Sequence, residues 1–252
     1  MSFDADLLWS GYILTGLIFA SACLYSSVGH GGASGYLAAM ALVGLAPDEM
    51  KPAALTLNIL VSAIGSFKFL RAGRFSWSLF WPFAVTSIPM AYLGGLTVLS
   101  NTYYKPVVGL VLIYAATTFV IGAGEAKRTL RNPHRQMVLL IGALLGFLSG
   151  LVGVGGGIFL SPLLISCRWQ EPKKVSGISA VFILVNSIAG LLGFASHGSF
   201  AFNNAWPAWA AAAIIGGFIG AEYGSKQLGN TAIKRLLALV LCVAGLKMVF
   251  AI

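Results

Sequence analysis

The stretch SVGHGG at positions 27–32 interrupts a long apolar run, and the stretch VGVGG at positions 152–156 interrupts another. Glycine has no Cβ, so it permits left-handed backbone conformations and lets other groups approach the main chain closely. Further apolar residues follow each stretch. We therefore interpret both stretches as breaks between two helices, and we call them break 1 (27–32) and break 2 (152–156).

The composition surrounding these breaks is that of a membrane protein. Hydrophobic residues make up 58% of the chain and charged residues 9%, with a mean hydropathy of +0.88. Soluble domains carry about 25% charged residues, so this chain lacks the polar groups to cover a surface in water. The apolar residues do not alternate with period two, which argues against a β-barrel and leaves helices to satisfy the backbone in lipid. The sequence predicts an all-α integral membrane protein.

The two breaks belong to an internal duplication. Ser62 matches Ser187, which lies 125 residues further on, and Trp-Pro at 81–82 matches Trp-Pro at 206–207 with the same separation. Matches in the same order at a nearly constant separation are typical of a duplicated structural unit. We predict two halves with the same fold.

Each half is predicted to contain about five helical segments, namely one glycine-broken hairpin followed by three crossings. The first half spans 1–123, the second spans 137–252, and the basic linker 124–136 joins them on the cytoplasmic side. The predicted helices are 7–28, 33–46, 52–70, 77–99 and 105–123 in the first half, and 137–152, 157–167, 175–195, 204–225 and 235–251 in the second.

The distribution of basic residues predicts how the halves are oriented. If each break turns the chain back, all but three of the Lys and Arg residues lie in loops on one side, the exceptions being Lys51, Lys105 and Lys247. This agrees with the positive-inside rule, so a nucleic-acid partner is not needed to explain the net charge. Loop 71–74 carries two arginines, whereas its repeat counterpart 196–203 has no charge. The halves are therefore predicted to be inverted repeats with both termini outside.

The breaks and the polar residues near them form the predicted substrate site. A helix N-terminus has unpaired N–H groups and the positive end of the helix dipole, so two inverted copies facing each other form a candidate anion pocket. Hydroxyl and amide groups on the neighbouring helices can hold an oxyanion without a buried charge. The candidate substrate-binding residues are Gly29, His30, Gly31, Gly32, Asn58, Ser62, Gly153, Gly155, Gly156, Gly157, Ser179, Asn186 and Ser187.

His30 is also the candidate for proton coupling, because histidine changes charge near neutral pH. Structural alternatives stay open for all of these residues. The glycines can serve only close helix packing, the hydroxyls and amides can bond between or within helices, and His30 can simply be packed. Two charged residues near predicted helix ends have simpler interpretations. Lys68 is expected to extend to the membrane surface, and Glu222 to face water or to pair with Lys226.

The paired breaks, the Pro-Leu-Leu at 162–164 and the helix with Ser and Gly at 175–195 resemble the TauE/SafE sulfite exporter family, as does the duplication. The resemblance covers the whole chain. It implies transport of small sulfur-containing anions, such as sulfite or organosulfonates, across the bacterial inner membrane. The chain departs from a plain glycine-rich first break by placing His30 within it.

The favoured function is therefore a secondary transporter, an exporter in this family, with alternating access at the repeat interface. An anion channel, or a permease for another small organic anion or sulfur species, is the alternative. We expect no catalytic residues, no metal site, no cofactor and no enzyme activity, because carboxylates and histidines are few. The expected partners are a small anionic substrate, a coupling proton or other ion, and the lipid bilayer. A homo-oligomer is compatible with the sequence.

Overall fold

The computed structural model describes residues 2–121, 130–196, 204–226 and 231–250. Within these residues the chain forms ten α-helices and no β-strand, which confirms the predicted all-α class. The helices are α1 (Ser2–Ser26), α2 (Ala33–Val43), α3 (Pro47–Arg71), α4 (Trp77–Leu96), α5 (Asn101–Ile121), α6 (Arg135–Val152), α7 (Gly157–Ser166), α8 (Pro172–Ala195), α9 (Trp206–Lys226) and α10 (Thr231–Phe250).

Several of these helices have the length and composition of membrane spans. Four of them meet both conditions in the described part of the chain, at Pro47–Arg71, Trp77–Leu96, Arg135–Val152 and Lys174–Ala195. The helices α2 and α7 have 11 and 10 residues. A full crossing takes about 20 residues, so neither of these two helices reaches across a bilayer alone. The protein is thus a multi-pass membrane protein with two short helices inside it.

The helix α3 begins at Pro47, five residues before the predicted start. Proline is well suited to the first helical position, and Asp48 and Glu49 in the first turn complement the helix dipole. The prediction began the helix after Pro52, but a proline this close to the N-terminus interrupts little hydrogen bonding. The earlier start brings Lys51 into the helix. Lys51 was expected among the loop charges and is instead 4% exposed.

The helices pair across the two predicted halves. The largest contacts join α4 to α6, α5 to α10, α1 to α9, α4 to α8 and α3 to α8. Exchanging the halves turns the α4–α6 pair into the α9–α1 pair and the α4–α8 pair into the α9–α3 pair, which is also in contact, and it leaves the α5–α10 and α3–α8 pairs unchanged. The halves are therefore interlocked rather than placed side by side. Parts of the predicted linker 124–136 and of loop 196–203 lie outside the described residues.

Glycines allow the closest of these helix pairs. A Cβ added to Gly146 on α6 would lie 2.6 Å from the Cα of Ser87 on α4, and one added to Gly216 on α9 would lie 2.5 Å from the carbonyl oxygen of Phe19 on α1. Small residues are favoured at such contacts because lipid supplies no hydrophobic force between helices, so association depends on close packing. Packing is the role that the sequence analysis implies for glycines outside the breaks.

A single ion pair connects α3 to α9 among the described residues. The Nζ of Lys68 lies 2.5 Å from Oε2 of Glu222 and 3.5 Å from the ring centroid of Phe218. The side chain of Lys68 is 12% exposed. Lys68, which was expected to extend to the membrane surface, and Glu222, which was expected to face water or to pair with Lys226, thus pair with each other.

Candidate substrate site at the two glycine-rich breaks

Break 1 is a short non-helical turn between α1 and α2. The backbone N–H of His30 donates to the carbonyl oxygen of Tyr25 at 2.9 Å and closes the end of α1. Gly29 and Gly32 have φ angles of +80° and +102°, in the region that only glycine adopts without strain. Gly32 caps the N-terminus of α2, and no side chain bonds to this cap.

Break 2 repeats this arrangement between α6 and α7. Gly153 ends α6 with φ +88°, and Gly156 caps α7 with φ +75°, again without a side-chain hydrogen bond. Both short helices thus start from a left-handed glycine, and the residues of both first turns are buried. The first N–H groups of a helix have no partner within the helix. The two breaks therefore present uncapped helix N-termini inside the protein.

Asn58 on α3 lies between the two breaks. A Cβ added to Gly31 would overlap its Oδ1, and a Cβ added to Gly155 would overlap its Nδ2. The Nδ2 donates to Ser187 Oγ on α8 at 3.0 Å and to the carbonyl oxygen of Val154 at 3.4 Å. Asn58 is fully buried, and its Oδ1 has no hydrogen-bond partner. One amide therefore connects break 1, break 2 and the crossing of α3 with α8.

Ile183 on α8 also contacts both breaks. Its Cγ2 would lie 3.0 Å from a Cβ on Gly31 and 2.8 Å from one on Gly155, and its Cδ1 would overlap one on Gly157. The sequence analysis did not select this residue because it is apolar. Asn58 and Ile183 are 125 residues apart, as are Ser62 and Ser187. Ile183 is thus the repeat counterpart of Asn58, and the duplication could have identified it as a site residue.

A second pair of contacts between the breaks and the helices α3 and α8 is also related by the repeat. A Cβ on Gly29 would lie 2.5 Å from the carbonyl oxygen of Ser176 on α8, and one on Gly153 would lie 3.4 Å from the Cγ of Lys51 on α3. Ser176 and Lys51 are again repeat counterparts. Each break thus lies against the first part of the long helix from the other half.

The remaining polar candidates have other immediate partners. Ser62 Oγ donates to the carbonyl oxygen of Ile59 in its own helix at 3.4 Å. Asn186 donates to the carbonyl oxygen of Phe182 at 2.7 Å, is fully buried, and has no partner for its Oδ1. The structure thus brings together Asn58 and the glycines of both breaks, whereas these hydrogen bonds of Ser62 and Asn186 stay within their own helices.

Three other candidates lie beside the breaks. Ser179 Oγ is 2.6 Å from Ser161 Oγ, which connects α8 to α7 just after break 2. A Cβ on Gly156 would lie 2.8 Å from the ring of Phe182. His30 is 9% exposed within break 1, and its ring meets Tyr25 edge-on at 6.5 Å between centroids. These residues support the shape of the breaks.

This arrangement has the chemistry to bind a small oxyanion. Helix N-termini offer N–H donors and a partial positive charge. Because Ser187 Oγ can donate as well as accept, the Asn58 amide can present either its oxygen or its nitrogen toward Gly31. No group of three or more His, Cys, Asp and Glu side chains in the described residues could hold a metal ion. The breaks pack so tightly on Asn58 that a bound anion requires them to move apart.

Comparisons with known proteins identify the family of the chain. The family model for "Sulfite exporter TauE/SafE" matches residues 13–248. The chain is 39% identical over 236 residues to "Probable membrane transporter protein y4hK" of Sinorhizobium fredii, covering 92% of this chain and 95% of the relative. It is 29% identical over 205 residues to a "Probable membrane transporter protein" of Methanocaldococcus jannaschii, covering 77% and 75%. No solved structure matches the chain.

The ten helices of the described residues, four of them long and apolar enough to cross a membrane, together with relatives named as membrane transporters, place the chain among membrane transporters. The match over nearly the whole chain makes the assignment specific: the protein belongs to the TauE/SafE family. The family resemblance inferred from the breaks and the duplication is confirmed.

Proposed function

We propose that this protein is a secondary transporter that exports small sulfur-containing anions, such as sulfite or organosulfonates, from the bacterial cytoplasm through the inner membrane. The observation that carries the proposal is the position of Asn58, whose buried amide contacts break 1 at Gly31 and break 2 at Gly155. An anion at this point meets two helix N-termini and an amide at once. The family description, sulfite exporter, supplies the substrate class and the direction.

Alternating access fits the contacts around the site. The site residues come from both predicted halves, so movement of one half against the other opens or closes the space at Asn58. The helix pairs that exchange under the repeat, α4–α6 and α9–α1, support two halves with the same fold. The proposed inversion of the halves, with both termini outside, rests on the distribution of basic residues. In this mechanism the tightly packed breaks represent the closed path, and substrate enters when they separate on one side.

His30 is the proposed carrier of the coupling proton. It directly precedes Gly31, the residue of break 1 that lies against the Asn58 amide. A change in the charge of His30 therefore occurs next to the proposed binding position. A protonated imidazole attracts an anion and a neutral one releases it, which would link substrate movement to a pH gradient. Its burial limits access of protons from both sides at once.

The proposal is tested by flux into proteoliposomes that contain the purified protein. Sulfite, a small sulfonate and, as a control, chloride are supplied with and without an imposed pH gradient. We expect uptake of a sulfur anion that saturates with concentration, rises with the gradient and exceeds that of chloride. In His30→Gln we expect saturation to remain and the dependence on the gradient to be lost.

Three results would contradict parts of this proposal. Flux that never saturates and follows only the electrical potential would favour the anion channel. Saturable flux that excludes sulfur anions but includes another small anion would replace the substrate class. Unchanged gradient dependence in His30→Gln would remove the histidine from coupling.

A further inference from the structure

Lys51 is a buried cation that the sequence placed among loop charges. It lies one turn into α3 and is 4% exposed, although lysine is rarely buried without an ionic partner. An ionised side chain buried among membrane-spanning helices is costly, and such residues commonly mark a substrate or ion pathway. Its surroundings therefore decide what this lysine does.

The partners of the Lys51 ammonium are all uncharged. Its Nζ donates to the carbonyl oxygens of Gly94 at 3.4 Å, Gly95 at 3.2 Å and Thr97 at 3.2 Å, at the C-terminal end of α4. The ring of Phe194 lies 5.4 Å away and offers its π face. No carboxylate lies within ion-pair distance in the described part of the chain. The carbonyls and the helix dipole stabilise the ammonium, but they leave its net charge uncompensated.

The other lysine of this helix provides a contrast. Lys68 lies almost five turns further along α3 and is neutralised by Glu222. The same helix thus contains one lysine with a carboxylate partner and one without. The lysine without a carboxylate is the more deeply buried of the two. Structural need alone does not explain this difference, because a neutral donor could also cap the carbonyls of α4.

Lys51 also lies directly on break 2. A Cβ on Gly153 would be 3.4 Å from its Cγ and 3.4 Å from its carbonyl oxygen. Asn58, which joins the two breaks, is two turns further along the same helix. The repeat counterpart of Lys51 is Ser176, which contacts Gly29 of break 1. The two breaks are therefore alike in backbone geometry, but the residue packed against break 2 is a lysine and its counterpart at break 1 is a serine.

We propose that Lys51 is a substrate-binding residue, the fixed positive charge that an anion meets on the α4 side of the two breaks. This inference rests on the proposed function, since it assigns a further residue to the same anion path. When the breaks separate, the anion takes the place of the longest carbonyl contact of the ammonium, that with Gly94. The uncompensated charge of Lys51 makes the path selective for anions at break 2. At break 1, the counterpart residue Ser176 offers only a hydroxyl.

The test separates charge from capping by using two substitutions. Lys51→Arg keeps the positive charge, whereas Lys51→Gln keeps a donor for the carbonyls of α4 and removes the charge. Lys105→Gln is the matched control, because it removes a half-buried lysine that forms no ion pair in the described structure. Initial rates of sulfite and sulfonate uptake are measured against concentration in proteoliposomes, with thermal unfolding of each variant in detergent.

We expect Lys51→Gln to raise the KM for the transported anion by at least about tenfold while the maximal rate changes less. Lys51→Arg should stay within about threefold of the wild type, and Lys105→Gln within about twofold. A purely structural role would lower the amount of folded protein and hence the maximal rate, with KM unchanged, and this result would overturn the proposal. An unchanged KM in folded Lys51→Gln would do the same.

The same experiment distinguishes this inference from the function on which it rests. If the wild type takes up a sulfur anion and Lys51→Gln has the same KM, the transporter assignment stands and Lys51 is not a substrate-binding residue. Absence of uptake of every sulfur anion by folded wild-type protein would reject the proposed substrate class, and the role of Lys51 toward those anions with it.

Discussion

The helices α3 and α8 occupy the same place in the two halves but carry different chemistry. At the level of the breaks, α3 presents Asn58 and α8 presents Ile183, and both side chains contact Gly31 and Gly155. One end of the site shows the same contrast, with Lys51 on α3 and its counterpart Ser176 on α8. The backbone of the site is thus duplicated, whereas at these two equivalent positions the amide and the ammonium occur on α3 alone.

This difference separates the requirements of shape from those of binding. The left-handed glycines occur in both breaks, because both must turn the chain and start a short helix. The Asn58 amide and the Lys51 ammonium have no equal at their counterpart positions, Ile183 and Ser176, because a single small anion needs a limited number of partners. We therefore expect changes to the shared backbone to be more damaging than changes to the residues that differ between the halves.

The largest effect is expected for Gly155→Ala. The new Cβ would overlap Nδ2 of Asn58, and alanine at φ +76° is strained by about 1–2 kcal/mol. We expect anion flux to fall more than about tenfold and thermal unfolding to shift to lower temperature. Gly73→Ala is the matched control, since its φ is +67° and its Cβ would meet nothing within 4 Å. Equal effects of the two substitutions would show that strain alone matters.

Asn58→Leu is expected to lower anion flux by about tenfold with a modest loss of stability. Leucine has a similar shape, and the Oδ1 that it replaces has no partner among the described residues. The two hydrogen bonds of Nδ2 are lost, and because such a bond contributes about 0.6 kcal/mol in a membrane protein, the free energy of unfolding should fall by about 1 kcal/mol. Flux and thermal unfolding are measured together. The counterpart substitution Ile183→Leu should retain flux within about threefold. Comparable loss of flux in both variants would contradict the assignment of binding to α3.

Ser187→Ala is expected to weaken binding moderately. It removes the hydroxyl that orients the Asn58 amide at 3.0 Å, and one such bond in a membrane protein contributes about 0.6 kcal/mol. This corresponds to a rise of about threefold in KM. Ser179→Ala is the comparison, because its hydroxyl bonds to Ser161 on α7. We expect it to lower thermal stability and leave KM unchanged, and the opposite pattern would reverse the two roles.

Ser62→Ala should have the smallest effect. Its hydroxyl is 3.4 Å from the carbonyl oxygen of Ile59 in its own helix, and such a bond adds little. We expect flux within about twofold of the wild type. A larger loss would mean that Ser62 meets the substrate when the breaks separate, as its equivalence to Ser187 predicts.

The sequence predicted the architecture well because membrane segments follow directly from composition. All ten helices were identified, and the two glycine-rich breaks begin their short helices at Ala33 and Gly157, as predicted. The start of α3 was misplaced because Lys51 and Pro52 resemble the end of a loop. Charge and proline are poor markers of a boundary when the first turn of a helix accommodates both.

The site was only partly predictable, because residue type is a weaker guide than position. Asn58 was identified by its polarity, but Ile183 was missed although it has the equivalent contacts. Lys51 was assigned to a loop because charge was assumed to lie in water, and its carbonyl partners come from the end of another helix. Such contacts depend on how helices cross, which no local pattern specifies.

The pairing of Asn58 with Ile183 has a consequence for the evolution of this fold. A dimer of identical half-length chains would place the same side chain at both positions, either two amides or two isoleucines. Fusion of the two copies in one gene removes this constraint, so that one copy can vary its central residue while the other preserves the fit. Closely related members should therefore diverge in specificity through substitutions on one helix at a time.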